Sequence, residues 1–325
     1  MGGDSGAREG PAIAKRASRG ATAATGRRIS GADWIAGAIL AAWALGQLAR
    51  DAILPTALLF YVPSPLVALL LLAVALVARF RRLPWLRIAV SALAPAAVAL
   101  LIECRWLPAT VAPVAGGAPL RVVHWNVSGG WVAPELQARE IARLRPDLVV
   151  LSEAPERVAR RVAPALPGFR HETFGSLTLL ARELLDGEWL ERDRRLQVVR
   201  GRFGWGGRSW SVFAVNLGSS LLEPRDPSLR RVVAQLEARR PDLVVGDFNA
   251  PRRSRALGRL PPGWRHAYDE AGAGWSATWP VPVPLLAIDQ TLVGPRLRAT
   301  GYRLTGTPWS DHRLQLVELV PAGPG

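Results

Sequence analysis

The chain contains only one cysteine and only one lysine. Cys104 is the only cysteine among 325 residues, so an intrachain disulfide is excluded and any folded domain must be held together by its core. Lys15 is the only lysine, and arginine therefore carries nearly all of the formal net charge of +15. Because arginine binds phosphate in a bidentate fashion, this charge suits phosphate-bearing partners or an anionic membrane.

Charge is scarce between Trp34 and Trp106, where apolar residues form three long runs. These runs are Trp34–Ala49, Ala52–Ala78 and Pro84–Ile102. A bilayer crossing needs roughly 20 apolar residues, so the runs predict a membrane region of about three transmembrane helices over residues 31–106. Pro55, Pro63 and Pro65 predict that the middle helix begins near Leu66 or is kinked, because proline removes a helix donor. For the first and third runs an interfacial or re-entrant helix remains open.

Basic residues flank the three runs unevenly. The cluster before the first run contains Lys15, Arg16, Arg19, Arg27 and Arg28, and the cluster at the junction of the second and third runs contains Arg79, Arg81, Arg82 and Arg87. Only Arg50, offset by Asp51, lies between the first and second runs. Because positive charge marks the cytoplasmic side, we expect a multi-pass plasma-membrane protein with a cytoplasmic amino terminus and an extracytoplasmic chain after Trp106.

Two segments without apolar periodicity divide the chain. Residues 1–30 are rich in Gly, Ala, Ser and Arg, which predicts a disordered basic cytoplasmic tail. Residues 107–118, rich in Ala, Gly and Pro, predict a linker. Residues 119–321 are then long enough for one domain with its own core.

An internal repeat predicts the fold of that domain. The sequence RPDLVV at residues 145–150 recurs at residues 240–245, and each copy follows an apolar run that contains Asn126 or Asn216. Between each apolar run and the RPDLVV copy after it, apolar residues recur with helical spacing, most clearly from Leu229 to Leu236. Each half is thus strand, helix, strand. This pattern predicts an α/β fold, more closely an α+β four-layer sandwich: two mixed β-sheets packed face to face and flanked by helices.

Polar residues follow the apolar strands of both halves. Equivalent strand ends converge on one rim of such a sandwich, which would bring Asn126, Glu153, Asn216 and Asp247 together. Alternatively, the asparagines are turn formers and the acidic residues cap the segments that follow. Several carboxylates in one cleft repel each other unless a cation is present. The four histidines form no run with cysteine that would favour zinc, so oxygen ligands predict Mg²⁺ or Mn²⁺.

Five motifs in order resemble those of the endonuclease/exonuclease/phosphatase superfamily, the metal-dependent phosphoesterases related to DNase I. They are Trp125-Asn126, Ser152-Glu153, Gly246-Asp247-Phe248-Asn249, Ile288-Asp289 and Ser310-Asp311-His312. The resemblance covers roughly residues 120–320. The layout of three apolar runs followed by this domain resembles the membrane-anchored bacterial members associated with glycopeptide-antibiotic resistance.

The resemblance implies a role for each site residue. Asn126, Glu153 and Asp311 are implied at the metal ion. Asp247 is implied to orient or deprotonate the attacking water, and Asn249 to hold the phosphate. His312 is implied to contact the phosphate while Asp289 orients its imidazole, which fixes the tautomer and raises the basicity.

The chain departs from the family pattern at three positions. Asn216 occupies a place where relatives commonly have a histidine; an amide can donate to a phosphate oxygen but cannot titrate. Gln290 follows Asp289 where many relatives have histidine, and Ser128 stands where nucleases often have a second acidic residue. These departures argue mildly against an efficient DNA nuclease. Trp275 and Trp279 either line a substrate entrance or pack in the core.

Together these observations predict a membrane-anchored, divalent-metal-dependent hydrolase. Its expected substrate is a phosphoester or pyrophosphate of a lipid or cell-envelope molecule at the outer face of the membrane, conceivably an undecaprenyl-type pyrophosphate. One alternative is an extracytoplasmic endonuclease, with nucleic acid as the less favoured partner. Another is a membrane protein that binds phosphorylated ligands without catalysis, which the amide at Asn216 would suit.

Overall fold

The computed structural model describes residues 1–3, 29–106, 118–130 and 132–322. The predicted cytoplasmic tail and the predicted linker therefore lie almost wholly outside the described residues. The basic residues between Lys15 and Arg28, on which the predicted orientation partly depends, lie outside them as well.

Five helices form the amino-terminal region. They are α1 (Gly31–Ala49), α2 (Leu54–Phe60), α3 (Ser64–Phe80), α4 (Trp85–Ser91) and α5 (Leu93–Glu103). By length and composition α1 and the stretch from Trp85 to Glu103 could each cross a membrane. Helices α2 and α3 pass the same test only as a pair, and they meet at 74°.

The kink that the prolines predicted in the middle apolar run is therefore confirmed. The described residues contain two candidate spans, or up to three if the bent pair counts as one. Helix α3 begins directly after Pro63, which has no N–H to continue α2. We call the break between α2 and α3, residues 61–63, the elbow.

The helices pack closely on one another. Leu71 and Ile88 are buried between them. Trp43 Nε1 donates to Ser64 Oγ at 3.0 Å, which joins α1 to the start of α3. At the other end of the region, Arg87 pairs with Asp33 at 3.2 Å. The amino-terminal region is thus a small helical bundle with two distinct ends.

The rest of the described chain, residues 118–322, forms the sandwich domain. Its helices are α6 (Pro134–Arg143), α7 (Glu156–Val162), α8 (Asp226–Arg239) and α9 (Ala267–Ala271). The strands of the whole protein are β1 (Cys104–Arg105), β2 (Leu120–Asn126), β3 (Leu148–Ser152), β4 (Arg170–Phe174), β5 (Leu177–Ala181), β6 (Leu184–Arg192), β7 (Leu196–Trp205), β8 (Arg208–Leu217), β9 (Leu243–Asp247), β10 (Arg265–His266), β11 (Gly274–Trp275), β12 (Asp289–Val293), β13 (Leu297–Thr305) and β14 (Leu314–Pro321).

Two six-stranded mixed sheets form the centre of this domain. One has the order β13-β14-β2-β3-β5-β4 and the other β10-β12-β9-β8-β7-β6. The pairs β2–β3 and β8–β9 are parallel, and the remaining neighbours are antiparallel. The predicted fold of two packed mixed sheets flanked by helices is confirmed.

Strand alternation places the core on both faces of each sheet. Val122 and Val150 face the opposite sheet, whereas Val123 and Val149 face α6 and α7. Val244, in the second sheet, faces α8. Full burial of each such side chain contributes about 1.5–3 kcal/mol, which accounts for a stable domain without disulfides.

The two RPDLVV copies occupy equivalent places. Asp147 accepts the Arg121 N–H at 2.8 Å, and Asp242 accepts the Ser211 N–H at 2.9 Å. Each aspartate lies just before the second strand of a parallel pair, and its side chain thereby links that strand to the first strand of the pair. The opposite ends of these pairs, Asn126 beside Ser152 and Asn216 beside Asp247, lead to the predicted site.

The helical bundle is attached to the sandwich domain at one of its ends. Strand β1 follows α5 and pairs with β11. Arg252 Nη2 donates to the carbonyl of Ile102 at 2.8 Å, and the Arg255 N–H donates to Asp51 at 2.7 Å. The loop that follows Asn249 therefore holds the ends of the apolar helices.

Candidate active site

A cavity of about 640 Å³ opens where the strand ends of both sheets meet the helical bundle. Five of the residues predicted for the site line it: Glu153, Asp247, Asn249, Asp311 and His312. Part of its apolar wall comes from the elbow and the helices beside it: Leu58, Tyr61, Val62, Pro63 and Leu66. One cavity thus has carboxylates on one side and apolar helix residues on the other.

Asn126 joins the two halves of the site. Its side-chain amide donates to Glu153 Oε1 at 3.1 Å and to Asp247 Oδ2 at 2.9 Å. The Ser128 N–H donates to its amide oxygen at 2.9 Å, which fixes the side chain. Glu153 is exposed and has a left-handed backbone with φ of 52°, a conformation that costs energy for glutamate and is typical of functional sites.

Asp247 is buried with its carboxylate directed into the site. Burial and the nearby charge of Asp289 raise the pKa of Asp247 to about 7, against the opposing effects of His312 and of the hydrogen bonds from Asn249 and Asn126. The Asn249 N–H donates to Asp247 Oδ1 at 2.8 Å. A carboxylate with a pKa near neutrality is suited to accept a proton from water.

Asp289 and His312 form a buried pair. His312 Nδ1 lies 2.9 Å from Asp289 Oδ2. Burial lowers the pKa of His312, but the charge and hydrogen bond of Asp289 outweigh it and raise the pKa to about 9. Burial likewise acts to raise the pKa of Asp289, and the charge of His312 reverses this, so that the pKa lies below its usual range. His312 is therefore a cation at neutral pH.

His124 lies behind this pair. It is buried, its Nε2 lies 3.1 Å from Ser152 Oγ, and its Nδ1 lies 3.8 Å from Asp289 Oδ1. Burial lowers the pKa of His124 to about 4, although Asp289 acts in the opposite direction. A neutral imidazole thus lies against the carboxylate that holds His312.

Asp311 lies at the edge of the cavity. Its carboxylate accepts hydrogen bonds from the hydroxyl of Ser128 and from Trp279 Nε1, the latter at 2.9 Å. Burial acts to raise the pKa of Asp311, but these bonds lower it below the usual value. Trp279 lines the cavity, so of the two interpretations of this residue the substrate entrance is the one that its position favours.

Three of the predicted site residues, Asn126, Asp289 and Asn216, do not line the cavity. Asn126 and Asp289 bond to residues that do, whereas Asn216 turns to a neighbouring loop. Its amide donates to Ser176 Oγ at 2.9 Å, and Ser176 donates to Gln197. Gln290 is buried and donates to the carbonyl of Ala287 at 2.7 Å. Both side chains thus hold neighbouring loops.

The oxygen atoms around Asn126 fit a hard cation. Glu153 is exposed in the cavity, and its bonded oxygen shares the side-chain NH2 of Asn126 with Asp247. The amide oxygen of Asn126 would be a third oxygen ligand. Asp247, Asp289 and His312 also place one ligand atom each within 4.8 Å of one another. In that second group the imidazole is already bonded to Asp289, so the position around Glu153 suits the predicted ion better.

Several residues of the cavity could not be found by motif reasoning. Arg225, Ser219 and the apolar residues of α2 and α3 line it, yet none belongs to a motif. Only the prolines within the middle apolar run gave a signal, because a break in an apolar helix at membrane depth requires a protein surface or cavity beside it. Nothing in the sequence distinguishes Arg225 from the other arginines.

The chain matches one protein-family model, and its fold is similar to those of several solved structures. The model of the Endonuclease/Exonuclease/phosphatase family matches residues 123–312. A humanized variant of D. rerio TDP2 has a similar structure, with a TM-score of 0.54 and 18% sequence identity over 63% of this chain and 100% of that chain. No curated protein sequence matches this chain.

Two bacterial structures are similar to the same extent. An endonuclease/exonuclease/phosphatase from Bacteroides vulgatus gives a TM-score of 0.52 at 18% identity, over 63% of this chain and 100% of that one. The mannosyl-6-phosphatase Bt3783 of Bacteroides thetaiotaomicron gives 0.50 at 17% identity, over 62% of this chain and 99% of that one. At these identities the structures show the shared fold alone.

Proposed function

This chain belongs to the endonuclease/exonuclease/phosphatase family, whose members are metal-dependent hydrolases of phosphoester bonds, and we propose that it hydrolyses a lipid-linked phosphoester or pyrophosphate at the outer face of a membrane. The observation that carries the proposal is the cavity shared by Asp247, His312 and the elbow. A substrate with its phosphate at the carboxylates would have its remaining part against apolar helices.

The arrangement of the bundle supports the membrane part of the proposal. The end of α1, the elbow and the end of α5 all lie against the sandwich domain. The Asp33–Arg87 pair lies at the opposite end, near the cluster that contains Arg79, Arg81 and Arg82. Of the basic residues in the described bundle, Arg79, Arg81, Arg82 and Arg87 thus lie away from the sandwich domain and Arg50 lies beside it, a bias expected if that domain is extracytoplasmic.

In the proposed reaction each side chain of the site has a separate role. Asp247 accepts a proton from the attacking water, because its pKa is near 7. His312, held as a cation by Asp289, donates to an oxygen of the phosphoryl group, and Asn249, which lines the same cavity, holds the phosphate. A divalent ion held by Asn126, Glu153 and Asp311, Mg²⁺ or Mn²⁺, would neutralise charge on the phosphoryl oxygens.

The test compares substrates on the full chain in lipid nanodiscs with Mg²⁺. We expect phosphate release from a polyprenyl diphosphate, no release in EDTA, and little cleavage of bis(p-nitrophenyl) phosphate or duplex DNA. Val62→Gln should weaken hydrolysis of the tailed substrate, because Val62 is 41% exposed in the cavity wall. Val283→Gln, at an exposed position of the sandwich domain, is the matched control.

Two outcomes would overturn the proposal in favour of the alternatives. Cleavage of DNA alone, with the steep salt dependence of phosphate-backbone binding, would identify a nuclease. Binding of the polyprenyl diphosphate without turnover would identify a non-catalytic binding protein. The concentration of carboxylates in the cavity argues against the latter, since a protein that only binds phosphate gains nothing from negative charge.

A further inference from the structure

Arg225 is a buried arginine in the cavity wall. It is the residue before α8, only 6% of its surface is exposed, and its guanidinium carbon lies 4.7 Å from the centre of the Tyr61 ring in the elbow. Its Nη2 donates to the carbonyl of Ser219 at 2.9 Å. Its Nε is buried without a hydrogen-bond partner in the described part of the chain.

No carboxylate among the described residues forms an ion pair with Arg225. The neighbouring Asp226 pairs with Arg230 at 2.7 Å, and Asp51, whose charge also acts on Tyr61, accepts the Arg255 N–H at 2.7 Å. A buried charge without a partner is costly, by several kcal/mol in general. Asp51 and Asp226 both act on the Tyr61 ring on which Arg225 stacks, but neither is ion-paired with the guanidinium, which is therefore free to pair with an anion in the cavity.

Arg252, a second buried arginine of this protein, serves as a comparison because its contacts are those of a structural residue. Arg252 is also 6% exposed, and its guanidinium carbon lies 4.6 Å from the Tyr268 ring centre. Unlike Arg225, it pairs with Asp269 at 3.2 Å and with Glu103 at 3.6 Å. The two arginines share burial and aromatic stacking, and they differ in that Arg225 lacks the anion and lines the cavity.

We propose that Arg225 binds a second phosphoryl group of the substrate, so that the cavity selects diphosphates attached to an apolar tail. This inference rests on the proposed function. The reacting phosphoryl group lies at Asp247 and His312, the second lies at Arg225, and the tail lies along Leu58, Val62 and Leu66, all of which line the one cavity. Planar guanidinium donors match phosphate oxygens in a bidentate fashion.

The reaction that this arrangement supports is hydrolysis of the phosphoanhydride. Water attacks the terminal phosphorus and gives its proton to Asp247, and the bond from that phosphorus to the bridging oxygen breaks. The electron pair stays on the bridging oxygen, which becomes part of a lipid monophosphate held by Arg225. Inorganic phosphate is the other product, and one water is consumed.

The test uses two probes with the same tail, farnesyl diphosphate and farnesyl monophosphate, on the full chain in nanodiscs with Mg²⁺. For Arg225→Gln we expect kcat/KM for the diphosphate to fall about 10–100-fold, mainly through KM, because one charge-assisted contact is lost. The value for the monophosphate should change less than about threefold. Arg225→Lys should lie between, since lysine keeps the charge and loses the planar fork. Arg239→Gln, at the exposed far end of α8, is the control.

Binding of the non-hydrolysable farnesyl methylenediphosphonate, measured by calorimetry, separates this inference from the proposed function. Equal losses for the two probes, or unchanged diphosphonate binding in Arg225→Gln, would overturn the role of Arg225 and leave the phosphoesterase intact. If the wild type hydrolyses neither probe, the proposed function fails, while weaker diphosphonate binding in the variant still supports the second phosphoryl position. Should Arg225→Gln not fold, the same comparison with Arg225→Lys decides.

Discussion

At the scale of single residues, the site depends on one amide and one ion pair. Asn126 bonds to both Glu153 and Asp247 and so holds two carboxylates from opposite sheets side by side. The pair of Asp289 and His312 supplies positive charge next to them. Without these contacts, carboxylates at this distance would repel each other and separate.

Asp289→Asn tests the pair through catalysis. We expect kcat for the diphosphate probe to fall about 10²–10³-fold, because the imidazole loses the carboxylate that orients and charges it. Asp186→Asn, an identical change at an exposed carboxylate that binds Arg202, should leave kcat within twofold. A wild-type kcat in Asp289→Asn would show that the pair serves only packing.

The pair should also make stability depend on pH. The pKa of His312 is raised from about 6.5 to about 9 in the folded state, so its stabilising contribution is complete below pH 6.5 and is lost as pH rises through 9. We expect the difference in unfolding free energy between wild type and His312→Gln in EDTA to shrink by roughly 3 kcal/mol over this window. Thermal unfolding of the detergent-solubilised protein from pH 6 to 10 measures it. A constant difference would contradict the shift.

Residues at strand ends were predictable from sequence, whereas residues brought in from other elements were not. Asp247 ends β9 and His312 lies just before β14, both in short motifs beside apolar runs, and such positions reach one rim of a sandwich. Asn216 occupies a similar strand end, but its amide turns to Ser176, a contact that depends on a neighbouring loop. Arg225 reaches the cavity only because α8 and the elbow pack together.

At the scale of elements, the repeated RPDLVV segment links neighbouring strands in each half of the domain. Asp147 and Asp242 each tie the first strand of a parallel pair to the turn before the second. Their environments differ, since Asp242 is 2% exposed and also binds both Nε and Nη2 of Arg296 at 2.5 Å.

Alanine at each aspartate should therefore destabilise the domain to a different extent. We expect about 1–2 kcal/mol for Asp147→Ala, the loss of a hydrogen bond to a charged acceptor. Asp242→Ala should cost more, about 2–3 kcal/mol, because its carboxylate also accepts two hydrogen bonds from Arg296. Equal unfolding temperatures for the two variants would refute the difference in their roles.

The elbow depends on a glycine in α1. A Cβ at Gly46 would lie 2.7 Å from the carbonyl carbon of Leu59 in α2, so only glycine permits this approach. We expect Gly46→Ala to cost about 1–3 kcal/mol through overpacking and to weaken hydrolysis of tailed substrates by displacing the cavity wall. Gly37→Ala in the same helix meets open space and serves as control. The idea fails if the two variants behave alike in an activity and melting assay.

Local patterns accounted for the strand–helix–strand halves, because alternation and helical spacing are properties of neighbouring residues. These local patterns could not predict the order of the strands in each sheet. Strand β14, for example, lies between β13 and β2, at the far end of the sequence from β2. The middle apolar run was predicted to be kinked or shortened by its prolines, but its packing against the sandwich domain depends on tertiary contacts.

At the scale of the whole molecule, the active-site loop and the helical bundle form one unit. The loop after Asn249 binds α5 through Arg252 and the α1–α2 connection through Arg255, and β1 pairs with β11. The cavity consequently has a fixed position relative to the helices that could enter a membrane. The carboxylates of the site and the apolar helix residues therefore line one cavity.

The most direct test is the rate of phosphate release by the full chain as a function of Mg²⁺ concentration, for wild type, Glu153→Gln and Asp247→Asn. We predict no release without divalent ions and a need for at least about tenfold more Mg²⁺ in Glu153→Gln, because a ligand loses its charge. We also predict about a 10³-fold lower maximal rate in Asp247→Asn, which cannot accept the proton. Undiminished release in EDTA, or a wild-type rate in Asp247→Asn, would contradict it.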